Sequence, residues 1–255
     1  MTTYDTATQT VQIPTWSRGT VLKVWAAAAL PMGLLAWVVA PLLAHAFLGP
    51  TALPRAVILT LTTGLIWQFF LVLIVVRREQ GTLRWPVLKA ALWLQAPRSP
   101  SSGRVGGMLW LVLIPCLLIF GAEEFLPALS PAAGHDLPTF LESAAGTHLL
   151  SGNWTWFAAI TILVLFNTVL GEELLFRGLL LPRMRGAFGR ADWAANGVLF
   201  AVYHLHMPWA IPTVLIDTFA LAYPSRRYRS ALIGIAVHSA QSVLVLSLAL
   251  SLALR

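Results

Sequence analysis

The chain has 255 residues, of which 58% are hydrophobic and only 11% charged, with a mean hydropathy of +0.76. Water-soluble domains are about a quarter charged, so an ordinary globular enzyme and a disordered chain are excluded. The net charge of +7 does not imply a nucleic-acid partner, because the basic residues are scattered between long apolar stretches and form no basic face or arm. The composition is that of a polytopic membrane protein.

The first sixteen residues are polar and Thr-rich. They lack the basic segment and small-residue cleavage site of a signal peptide, and residues 1–20 read as a cytoplasmic tail. A spanning helix needs about 20 apolar residues. Strong candidates lie at roughly 21–48, 54–76, 106–127, 154–181 and 230–254. Two shorter ones, 191–207 and 209–223, read as helices wrapped inside a bundle and joined by a tight Met207–Pro208 turn. The expected fold is therefore all-α, a polytopic transmembrane helix bundle of about seven helices. N-terminal membrane helices occupy 21–127, an extracytoplasmic loop 128–153 and a membrane core 154–254.

Segment 77–105 mixes Leu83, Trp85, Val87, Leu88 and Leu92 with basic residues. It reads either as an interfacial amphipathic helix on the cytoplasmic leaflet or as an ordinary basic loop. The Ser-, Gly- and Pro-rich run 97–107 is a flexible break after it. Lys and Arg in short loops set the orientation. Arg18, Lys23, Arg77, Arg78, Arg84, Lys89, Arg98, Arg104, Arg183, Arg185, Arg190, Arg226, Arg227 and Arg229 all fall on one side, whereas the other has Arg55 and Arg255. Residues 128–153 contain no Lys or Arg, only Asp136 and Glu142. The N-terminus is thus expected in the cytoplasm. The single cysteine, Cys116, rules out a disulfide framework within the chain. Fifteen of the 17 basic residues are Arg, which suggests a GC-rich bacterial genome and hence a bacterial cytoplasmic membrane.

Ionisable groups inside spans are costly and point to function by default. They occur here in Gly171-Glu172-Glu173-Leu174-Leu175-Phe176-Arg177, in Phe200-Ala201-Val202-Tyr203-His204, in His238-Ser239-Ala240-Gln241-Ser242 and at Asp217. Glu173 and Arg177, four apart on one helical face with the acid first, favour an intrahelical ion pair, which gives them a positioning role. Glu172 faces elsewhere without a cation, and a buried, unpartnered carboxylate suits a general base or acid. At about 1.5 Å per residue, Glu172 lies ~15 Å from the basic end of its helix, His238 ~12 Å, Asp217 ~10 Å and His204 ~20 Å. Three helices thus place an acid and two imidazoles in one membrane layer. Hydrolysis is the chemistry such a trio supports: a carboxylate deprotonates water, a histidine orients it or protonates the leaving amine, and a polar group stabilises the oxyanion. Neither H-E-x-x-H nor G-x-S-x-G occurs.

These residues resemble the CAAX protease and bacteriocin-processing (CPBP, or Abi) family of intramembrane proteases, whose signature is E-E-x-x-x-R, then F-x-x-x-H, then H-x-x-x-N. The first motif is complete at Glu172, Glu173 and Arg177, and the second at Phe200 and His204. The third keeps His238 but has Ser242 in place of Asn, with Gln241 one residue earlier. The resemblance covers about residues 154–254. It implies an intramembrane endopeptidase cutting a membrane-associated peptide or protein near the cytoplasmic face, with Glu172 and His204 activating water and His238 stabilising the oxyanion. No cofactor follows from the sequence. Glu172, His204 and His238 form a donor set that a divalent metal such as zinc accepts, so a metal-dependent and a metal-free mechanism both stand.

Two rival functions remain at this level: a catalytically weak or inactive membrane scaffold or bacteriocin-immunity protein, for which Ser242 is the main argument, and an ion-coupled carrier. Asp217 is expected either to accept a hydrogen bond from His204 or His238 or to be a packing residue. Phe200 is expected to pack. Glu123 and Glu124 read as interfacial, His206 as a rim residue, and His45, His135 and His148 as solvated.

Overall fold

The computed structural model describes residues 2–6, 9–126 and 129–255, and for residues 2–6, 9, 10 and 124 the backbone alone. Pro127 and Ala128, at the expected junction of the third span and the outer loop, lie outside the described residues. The chain is mostly helical. Four helices are long and apolar enough to cross a bilayer: α1 Arg18–Ala44, α2 Ala52–Gln80, α7 Trp154–Arg183 and α11 Ala231–Ala253. Between α2 and α7 lie α3 Trp85–Ala91, α4 Leu113–Gly121, α5 Leu137–Glu142 and α6 Ala144–Leu150. Between α7 and α11 come α8 Asp192–Tyr203, α9 Ile211–Val214 and α10 Tyr223–Tyr228. Leu30, Leu42, Leu118 and Leu244 are each more than 60% exposed. Many isolated apolar side chains around a packed core make a surface suited to lipid, and the chain is a multi-pass membrane protein.

Local chemistry sets the helix ends. The Ser17 hydroxyl accepts from the Thr20 N–H and opens α1. Arg77 and Arg78 occupy the last turn of α2, where cations meet the negative end of the helix dipole, and Gly81 at φ 71° closes it by donating to the Arg77 carbonyl. Asn153 caps α7 by accepting from the Trp156 N–H.

Three expectations are refined. Residues 106–127 do not form one regular α-helix: a tight 3₁₀ segment, Gly107–Val112, leads into α4, and another, Ala122–Phe125, follows it. Gly106 and Gly107 both have positive φ, which breaks regular helix at its start. The N-terminal tail contains a hairpin of β1 Thr2–Thr6 and β2 Gln9–Ile13, with Thr2 opposite Ile13. Val11 and Ile13, two residues apart on one strand face, are both buried, and Ile13 packs with Trp93, Leu181 and Ala231. Of the two readings of 77–105, a helix within it or a basic loop, the structure shows both in part: one short helix between irregular stretches. Only seven residues are helical in α3, whose Val87, Ala90 and Ala91 are buried against the bundle while Trp85 stays exposed.

At the Arg-rich end, residues distant in sequence close the bundle. The buried Arg183 guanidinium donates to both carboxylate oxygens of Glu79, at 2.6 Å from Nη2 to Oε2, and to the Ala91 and Leu179 carbonyls. The Trp16 indole donates to the same Glu79. Arg226 pairs with Asp192 at 2.6 Å, and the Ser230 hydroxyl donates to the Gln95 carbonyl.

Candidate active site

The middle of α7 departs from α-helical geometry. Over Phe166–Leu180 the backbone hydrogen bonds run from residue i to i+5, and the stretch ends with the Leu181 N–H donating to the Phe176 carbonyl. Such widened turns recur at functional sites because they turn side chains away from their α-helical positions. This one contains both glutamates and Arg177. Every residue from Gly171 to Leu181 is buried.

Glu173 is the hub. Its Oε1 lies 3.2 Å from Arg177 Nη1 and 3.2 Å from His238 Nδ1. All three side chains are buried. The approach that makes this contact depends on Gly234, four residues before His238: a Cβ there would collide with Glu173 Oε2 and crowd Arg177. Arg177 also lays its guanidinium over the Phe200 ring, 4.0 Å from the centroid. The same ring meets the His204 imidazole edge-on at 4.9 Å and the His238 imidazole at 6.2 Å. Glu173, Arg177, Phe200, His204 and His238 therefore form one contact chain drawn from α7, α8 and α11.

Each histidine has one nitrogen committed. The His204 Nδ1 lies 2.9 Å from the Phe200 carbonyl. A carbonyl only accepts, so Nδ1 carries the proton and Nε2 is left as the base. His238 presents Nδ1 to a carboxylate, with the same consequence. Glu172 is buried and has no ion pair, and neither of its oxygens has a hydrogen bond of ordinary geometry among the described residues. It lies within electrostatic reach of His238, Glu173 and Arg177, and its carboxylate interacts with the Tyr203 hydroxyl. That hydroxyl accepts from Gln68 Nε2 at 2.7 Å, which leaves its own proton free to donate.

Several sequence-derived assignments are corrected. The histidine hydrogen bond expected at Asp217 goes instead to Glu173, because Gly234 lets α11 approach α7 closely. Asp217 is buried, its Oδ1 has no partner among the described residues, and it lies within electrostatic reach of His238, Arg177 and Glu123. Glu123, expected at the interface, is half-buried at the end of its helix, within electrostatic reach of Asp217; the side chain of Glu124 lies outside the described residues. His206 is buried, not at the rim, and stacks on His204 at 5.4 Å. His45 and His148 are exposed, whereas His135 is partly buried and stacks on Trp37 at 4.5 Å. Ser242 shares a hydrogen bond with Thr168; Gln241 is exposed.

Glu172, His204 and His238 do not converge as metal ligands: among the described residues no group of three His, Cys, Asp or Glu side chains could hold a metal ion. His238 turns its Nδ1 to Glu173, and the Phe200 ring contacts both imidazoles, so the expected zinc set does not fit this arrangement.

Sequence reasoning overlooked four residues. Gln68 is a polar residue inside the apolar run 54–76, which was itself a signal. Thr168 precedes Glu172 by four residues, and Gly234 precedes His238 by four. Tyr203 adjoins His204.

Comparison with known proteins finds a match to the family described as Type II CAAX prenyl endopeptidase Rce1-like over residues 154–244, just over a third of the chain. No curated protein and no solved structure matches. The matched segment runs from the start of α7 into α11 and contains Glu172, Glu173, Arg177, Phe200, His204 and His238. The family is one of peptidases, and residues 154–244 of the chain are similar to it.

Proposed function

We propose that this protein is an intramembrane endopeptidase of a bacterial cytoplasmic membrane, hydrolysing a peptide bond of a membrane-associated peptide or protein near the cytoplasmic face. The observation that carries the reading is the contrast between adjacent acids. Glu173 is held by Arg177 and His238, whereas Glu172 is buried with no cation paired to it. A buried carboxylate with no cation paired to it suits the role of general base. Glu172, assisted by the bare Nε2 of His204, removes a proton from water, and the resulting hydroxide adds to the scissile carbonyl carbon. When charged, His238 keeps its Nδ1–H on Glu173 and donates its Nε2–H to the oxyanion. Collapse of the tetrahedral intermediate breaks the C–N bond, and the proton taken by Glu172 passes to the leaving amine. No step requires a metal.

The test compares protein termini in membranes from cells carrying the native chain and the Glu172→Gln variant. New termini that appear only with the native chain support hydrolysis. Identical termini, with the variant present at native levels, would assign the fold to a non-catalytic membrane scaffold.

A further inference from the structure

A cavity of about 360 Å³ lies between α1, α2, α5, α7 and α11, toward the end of the bundle where Lys and Arg are scarce. Its inner end is formed by Asn167, His206 and Ser242. Each adjoins the candidate site. Asn167 is five residues before Glu172, one turn of the i to i+5 helix. His206 stacks on His204. Ser242 is one turn beyond His238. These three lining residues place the cavity next to the candidate site. Gln241 and Leu244 of α11 line the cavity and are exposed on the flank of the bundle, and Pro138 and Glu142 of α5 line it and are exposed beside the outer loop.

The walls are mainly apolar, from residues such as Ile58, Leu65 and Val164, yet polar groups recur along their length. His206 Nδ1 and His135 Nε2 are buried and make no hydrogen bond of ordinary geometry among the described residues, and both side chains line the cavity, as do Asn167 and Asp136. A hydrocarbon chain has no group to satisfy these atoms, and enclosing them against one is unfavourable. An extended peptide carries an N–H and a C=O at every residue, and inside a membrane each of these needs an internal partner. Apolar walls with hydrogen-bonding groups along them suit that ligand.

Resting on the peptidase reading above, we propose that this cavity holds the apolar stretch of the substrate as an extended, unlipidated peptide segment, entering from the lipid-facing flank and delivering the adjoining bond to Glu172. The test uses the full chain carrying Glu172→Gln in lipid nanodiscs, with a short Leu/Ala peptide bearing a photoreactive group as probe and a farnesylated cysteine ester as competitor. Labelling is expected on α2, α7 and α11 at the cavity walls, displaced by unlabelled peptide and not by the farnesyl compound. Leu61→Trp, which fills the cavity, should abolish labelling, and Asn167→Leu should weaken peptide binding by about tenfold. Displacement by the farnesyl compound would make the cavity a lipid-chain site and overturn the proposal. So would labelling elsewhere or no labelling. The labelling needs no turnover, so it is independent of the terminus comparison: unchanged termini in Glu172→Gln membranes defeat the peptidase reading and leave the labelling pattern as it is.

Discussion

The two ends of the bundle handle buried polarity in opposite ways. At the Arg-rich end, Arg183 is satisfied by Glu79 and two backbone carbonyls, and Arg226 meets Asp192. Around Glu172 and the adjoining cavity, the Glu172 oxygens, Asp217 Oδ1 and His206 Nδ1 make no hydrogen bond of ordinary geometry among the described residues. An unpartnered buried polar group costs stability, so it persists where something else requires it. The paired end holds the helices together, and the unpaired centre is where the proposed reaction would place substrate and water. Glu173 stands between the two cases, since its partners hold a histidine in place.

Substitutions should separate these regions. Glu172→Ala should lower proteolysis by about 10²–10⁴-fold, measured as loss of native-dependent termini in membranes, without lowering thermal stability in detergent. A matching stability loss would make Glu172 a packing residue. Arg183→Ala, by contrast, should destabilise by about 3–5 kcal/mol because it leaves Glu79 uncompensated. A thermal aggregation profile close to native would show that this end is held by other contacts. Gly234→Ala should cost about 1–3 kcal/mol through overpacking and also reduce cleavage, since its Cβ displaces Glu173 from His238. Retained stability with retained cleavage would remove the Gly234 argument. Ser242→Ala should cost about 1 kcal/mol, the value of one hydrogen bond, to Thr168, in the same stability assay. Asp217→Asn should change cleavage least, because Glu173 and not Asp217 accepts from His238; a large loss of rate would restore Asp217 as a positioning residue.

The long spans were legible because about 20 consecutive apolar residues have few alternatives to crossing a bilayer. The Glu173–Arg177 pair was legible because it is local: four residues along one helix fix it whatever the rest of the chain does. The backbone of 106–127 was less legible for the complementary reason, since hydropathy reports apolarity and not the regularity of the helix. The hairpin escaped because strands of five residues carry little periodic signal.

By itself, the sequence determined the membrane class, the four long apolar helices, the three motif-bearing segments and the different fates of neighbouring glutamates, all of which depend on composition or on spacing within one helix. Only the tertiary structure decided that His238 answers to Glu173 and not Asp217, that Phe200 joins Arg177 to both imidazoles, that no metal-holding triad converges among the described residues and that a polar-lined cavity ends beside the site. Those facts depend on how closely α7, α8 and α11 approach, and that distance is set by single small residues such as Gly234 and by the widened turn of α7, which residue spacing along the chain does not encode.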